Sequence, residues 1–124
     1  MYTLDTNAII YALKGDTHAL PVLRDIFADG SIPVYVATIT EIELFGFPQL
    51  HVDEAVLIEN FLQKVSRVSL DSQIARAAAG IRRRYHLRLP DSVIAATTIF
   101  TNSTLLTRNV RDFQKVPGLR LQEI

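Results

Sequence analysis

The chain contains no cysteine. That excludes disulfides and thiolate metal sites, and it agrees with a cytoplasmic setting. It also has no net charge, because 13 Lys and Arg residues balance 13 Asp and Glu residues. A globally basic nucleic-acid binder is thereby excluded, although a local basic patch is not. No stretch approaches the roughly 20 apolar residues of a membrane span, so no membrane role is expected. No basic region precedes the first apolar run, as a signal peptide would require. Internal repeats, low-complexity tracts and linkers are missing too. What is present is a 124-residue chain, 48% apolar and 21% charged. Those values suit one ordered domain, residues 1–124, large enough to bury a real core.

Hydrophobic periodicity divides the chain into short strands alternating with helices. Strands are expected at Tyr2–Leu4, Ile32–Ala37, Arg67–Leu70 and Thr104–Thr107, with an edge strand within Leu119–Ile124. Helices are expected at Thr6–Leu13, from His18 or Pro21 to Ala28, at Thr38–Gly46, Val52–Val65, Asp71–Tyr85 and Asp91–Phe100. The segment after Thr107 carries asparagine and aspartate and is expected to be a loop. This alternation predicts a three-layer α/β/α sandwich around a central, mainly parallel sheet. In such sheets ligands bind outside the carboxyl ends of the strands.

Most of the acids lie in polar stretches, where a solvated charge explains them. Four do not fit so simply. In "YTLDTNAII", Asp5 stands between two apolar runs at a strand end, next to Thr6 and Asn7. In "RLPDSVIAATT", Asp91 precedes a buried helix. Either could be a helix N-cap, a position that favours aspartate. In "TITEIELFGF", a helical wheel turns Glu43 inward and Glu41 outward. Near the end, Thr107, Asn109 and Asp112 follow a buried strand in "LLTRNVRDFQ". Carboxylates converging at one sheet edge raise one another's pKa unless a hard cation neutralises them. Oxygen-only ligands suit Mg²⁺ or Mn²⁺, and such a site can drive in-line displacement at phosphorus. On that reasoning Asp5 is better explained as a metal ligand than as a cap.

Together, "LDTNAII", "TITEIELFGF", "LPDSVIAATT" and "LLTRNVRDF" resemble, in order and spacing, a PIN-domain ribonuclease of the VapC toxin type. The resemblance spans essentially the whole chain. It implies a Mg²⁺-dependent endoribonuclease, with Mn²⁺ a possible substitute, held inactive by a cognate antitoxin and self-associating as a homodimer or assembling as a toxin–antitoxin hetero-oligomer. The family's acids match Asp5, Glu43 and Asp91, with Asp5 and Asp91 as metal ligands. The fourth position is either that of Asn109 or that of Asp112, and Asp112 is the better candidate because Asn109 is an amide. Thr6, Asn7 and Thr107 match supporting polar positions.

Arg82, Arg83, Arg84 and Arg88 precede Asp91, and Arg108 and Arg111 flank the last cluster. Each alone reads as a solvated charge, but as a group they are candidates for RNA-backbone contacts. His18, His51 and His86 are scattered and receive no role. Two alternatives remain at this level. A phosphoacceptor signalling domain would need an acidic pair after the first strand and a late lysine, and neither is present. A catalytically silent PIN-fold binding module would have no need of converging acids. The apolar helices Thr17–Ala28 and Val52–Val65 and the segment "ELFGFPQL" suggest a groove for an antitoxin helix, with Phe45, Phe47 and Phe61 as candidate contacts.

Overall fold

The structure, a computed structural model, describes residues 1–124. Five strands, β1 (Tyr2–Leu4), β2 (Val34–Ala37), β3 (Ser66–Val68), β4 (Thr104–Thr107) and β5 (Leu121–Glu123), form one sheet in the order β3-β2-β1-β4-β5. Every pairing is parallel. Seven helices connect them: α1 (Thr6–Leu13), α2 (Ala19–Ala28), α3 (Thr38–Phe45), α4 (Val52–Leu62), α5 (Ser72–Tyr85), α6 (Leu89–Phe100) and α7 (Val110–Phe113).

Strand order fixes where chemistry can occur. From β1 the chain moves outward through β2 to β3, then crosses back so that β4 lies on the other flank of β1. The connections leaving β1 and β4 therefore diverge, opening a crevice at the carboxyl ends of those two strands. Asp5 directly follows β1, and Thr107 is the last residue of β4.

Strand alternation sends neighbouring side chains to opposite faces. Leu106 joins Leu4, Ala8, Ile9, Leu23 and Leu62 in one core, whereas Leu105 joins Ile74, Ala78, Ile94 and Phe113 in the other. The two cores make the expected three layers. An edge-to-face contact between Phe27 and Phe61, with centroids 5.6 Å apart, ties α2 to α4.

Several boundaries differ from expectation. β2 begins at Val34 because Pro33 has no N–H to donate, although its carbonyl accepts from Tyr2 N at 3.0 Å. α4 stops at Leu62, and β3 starts one residue early, at Ser66, and ends at Val68. The expected loop after Asn109 contains the one-turn helix α7, whose Phe113 is buried in the second core. α6 begins at Leu89, with Arg88 in the cap position and Pro90 in the first turn. Asp91 is thus the third helical residue rather than the N-cap.

Candidate active site

Asp5 occupies the N-cap position of α1 with an extended backbone, yet its carboxylate makes no capping bond. Instead Oδ2 accepts a 2.8 Å hydrogen bond from Thr107 Oγ1 on β4. The side chain is turned across the crevice rather than onto its own helix. Asp5 is only 4% exposed. Burial pushes its pKa up to about 6, and the nearby charges of Asp91 and Glu43 push the same way, against the stabilising hydrogen bonds from Thr107 and the Thr6 backbone.

Glu43 reaches the site from α3. Its Oε1 accepts from Thr6 Oγ1 at 2.7 Å. Thr6 Oγ1 also lies 3.0 Å from Thr40 Oγ1. Glu41, on the other side of α3, pairs with Arg67 at 3.4 Å, so the wheel distinguished the two glutamates. Thr40 is buried and was not singled out from the sequence. Its signal was its spacing, three residues before Glu43 on the same helix face.

Asp91 enters from α6. It is buried, and its one ionic partner is Arg88, with Nε 3.4 Å from Oδ2. The Arg88 side chain is otherwise 73% exposed.

Around β4 the polar residues form a chain. The Asn109 backbone N–H donates to Thr107 Oγ1 at 2.9 Å, and its Nδ2 donates to Asp112 Oδ2 at 3.0 Å. That amide holds the Asp112 carboxyl below its ordinary range, assisted by Lys115. Asp112 is thus linked to Asp5 through Asn109 and Thr107. Asn7 is exposed and makes no side-chain hydrogen bond to the acids.

The arginines separate into two groups. Arg108 is engaged within the fold: it grips Asp16 with two nitrogens at 2.9 and 3.1 Å, donates Nε to the Ile124 carbonyl at 2.9 Å and stacks 4.1 Å over the Tyr11 ring. It braces the β4 loop against the α1–α2 turn. Arg82, Arg83 and Arg84 are exposed on the last turn of α5 and make no ion pair. The three histidines are exposed.

An apolar groove of about 220 Å³ runs between α1, α3 and α4, with Ile10, Leu13, Leu44, Phe47, Leu50 and Leu57 along it and Glu43 in its wall. The groove is therefore continuous with the acid cluster. α2 does not line it. Of the three phenylalanines expected there, Phe47 does and is 56% exposed. Phe45 packs half-buried against the first core, and Phe61 belongs to that core.

The donor chemistry is all oxygen, and Asp5 is a buried carboxylate facing two others, so the site suits a hard divalent cation. The fit is partial, because no three acidic or histidine side chains come together as a preformed ligand cluster. The charges of Asp91 and Glu43 act on Asp5, and Asp112 is joined to it through hydrogen bonds by way of Asn109 and Thr107.

The profile of the PIN domain family matches residues 2–119. The chain is 29% identical to ribonuclease VapC19 of Mycobacterium tuberculosis, over 97% of this chain and 98% of that protein. It is 25% identical to the tRNA(fMet)-specific endonuclease VapC of Salmonella typhimurium, over 98% and 96%. Its fold matches a toxin–antitoxin complex from Klebsiella pneumoniae at a TM-score of 0.81 and 27% identity, covering 100% of both chains. VapBC2 of Rickettsia felis, bound to a promoter DNA fragment, matches at a TM-score of 0.84 over 99% and 98% of the two chains. At 21% identity, that match speaks to the fold alone.

Proposed function

The chain belongs to the PIN-domain family, and from that premise we propose that it is an endoribonuclease toxin of the VapC type. It hydrolyses RNA phosphodiester bonds at the Asp5–Glu43–Asp91 cluster and is silenced by a cognate antitoxin. The observation that carries this reading is Asp5: a buried carboxylate held near a pKa of 6 by burial and two neighbouring acids, at the point where the sheet order reverses. Burial and neighbouring acids of this kind are how active sites shift the pKa of a working carboxylate.

Asp5 and Asp91 would hold a Mg²⁺ or Mn²⁺ ion, with Glu43 beside them. The ion supplies positive charge against the developing negative charge of the phosphoryl transition state. The chain's own residues do the positioning. Thr107 orients the Asp5 carboxylate, Thr6 and Thr40 fix Glu43, and Asn109 holds Thr107 on one side and Asp112 on the other. Asp112 is the fourth acid of the reading, joined to Asp5 by three hydrogen bonds through Asn109 and Thr107.

The antitoxin partner is supported by relatives that crystallised as toxin–antitoxin complexes. An amphipathic antitoxin helix would bury its apolar face in the α1–α3–α4 groove and place a basic side chain, most naturally arginine, against Glu43. The functional assembly is then a toxin homodimer or a hetero-oligomer with the antitoxin. Incubating the protein with RNA and Mg²⁺, with and without a chelator, tests the reading directly. Cleavage that the chelator abolishes is expected; no cleavage of any RNA overturns the enzymatic reading.

A further inference from the structure

We propose that the C-terminal end of α5 is a second RNA contact, a phosphate-docking surface that grips the substrate strand outside the cleavage site. The inference rests on the ribonuclease reading above. Its starting point is charge segregation. Between Ser72 and Pro90 the sequence holds five arginines and no aspartate or glutamate, although the whole chain is neutral. Ion pairs hold Arg67, Arg88 and Arg108, whereas Arg82 and Arg83 are free.

The geometry supports a ligand rather than a merely solvated helix end. Arg82, Arg83 and His86 line a shallow, open concavity with Ala79 and the buried Leu87, with no acid in its wall. His86 takes the left-handed conformation, with φ of 59°, uncommon for a residue with a Cβ. Its backbone N–H closes α5 on the Arg82 carbonyl at 3.0 Å, and the chain then turns so that Leu87 is buried. Attraction to a helix C-terminus accounts for arginines in a last turn. It accounts neither for the concavity nor for the lack of any balancing acid over the whole segment.

The surface also lies close in the chain to Asp91. Only His86, Leu87 and Arg88 separate α5 from α6. At the extended-chain limit, five residues place the His86 and Asp91 Cα atoms no more than about 18 Å apart. Arg88, paired with Asp91 but largely exposed, stands between the two. Contacts of this kind fix register and strength without reading bases.

The test measures binding of a labelled single-stranded RNA to the Asp5→Asn protein in chelator, across a salt series. Each phosphate contact on a single strand contributes about 0.7 to the slope of log affinity against log salt. Arg82→Gln with Arg83→Gln should lower that slope by about 1.4, whereas Arg24→Gln, on exposed α2, should leave it unchanged. An unchanged slope in the double variant overturns the docking surface, and so does an equal loss in the Arg24 control. If the wild-type protein neither binds nor cleaves RNA in Mg²⁺, the ribonuclease reading itself has failed, a result distinct from either.

Discussion

Thr107 Oγ1 donates a 2.8 Å hydrogen bond to Asp5 Oδ2 between residues 102 positions apart, and both side chains are buried. The same hydroxyl accepts from the Asn109 backbone, so its single proton is committed to the carboxylate. Thr107→Val should leave the Asn109 N–H unpaired and free the Asp5 carboxylate to rotate. Such a loss costs about 1–3 kcal/mol, measurable by chemical denaturation. Thr107→Ser should restore most of it. A valine variant as stable as the wild type would show that the bond contributes little.

Asp5→Asn and Asp91→Asn should each abolish metal-dependent RNA cleavage while preserving the fold. Removing a group that stabilises developing charge costs on the order of 10²-fold or more. Near wild-type cleavage by either variant under limiting metal would remove that residue from the ligand set.

The pH dependence of the metal-free protein follows from Asp5. Its pKa rises from 3.8 to about 6 on folding, so between those values the folded state binds more protons than the unfolded state. Stability from this group therefore falls as pH rises through that window and stays reduced above it. The shift corresponds to about 3 kcal/mol. Asp16, Asp29 and Asp112 are shifted downward by their hydrogen-bond partners, and their contributions are lost only in more acid solution. Asp5→Asn should thus flatten the decline between pH 4 and 6 and raise the neutral-pH melting temperature. Asp91→Asn should gain less, because Asp91 lies in the first turn of α6, where the helix dipole favours its charge. Lower melting temperatures for both variants would point to structural carboxylates.

Millimolar Mg²⁺ should raise the wild-type melting temperature by linkage and should do so much less in Asp5→Asn. Equal shifts in the two proteins would place the ion elsewhere.

Peptides tiled along the antitoxin should include one that binds the α1–α3–α4 groove and inhibits cleavage. Leu57→Lys, at an exposed groove position, should weaken that binding at least tenfold, whereas Ile99→Lys, exposed on α6, should not. Replacing the peptide's arginine by alanine should reduce inhibition more than binding. Inhibition through a surface remote from Glu43 would refute this use of the groove.

Local pattern was enough to write out the strand–helix alternation, because periods of 2 and 3.6 are properties of a few consecutive residues. It also separated Glu43 from Glu41 and marked Asp5 as misplaced in apolar surroundings. It missed α7, whose single turn is too short to show a period and which is held by burial of Phe113. From the sequence Asp91 reads as the opener of its helix, because Pro90 precedes it and an apolar run follows. In the structure Pro90 lies in the first turn, where its missing N–H costs nothing. What only tertiary structure decided is who meets whom. The strand order sets Thr107 against Asp5, brings α3 to carry Thr40 and Glu43 beside Thr6, and ties Asp112 to Asp5 through Asn109 and Thr107. It also closes Arg108 onto Asp16, 92 positions away, while Arg82 and Arg83 remain free. A side chain's neighbours across a parallel sheet depend on crossovers tens of residues long, and no window of sequence contains them.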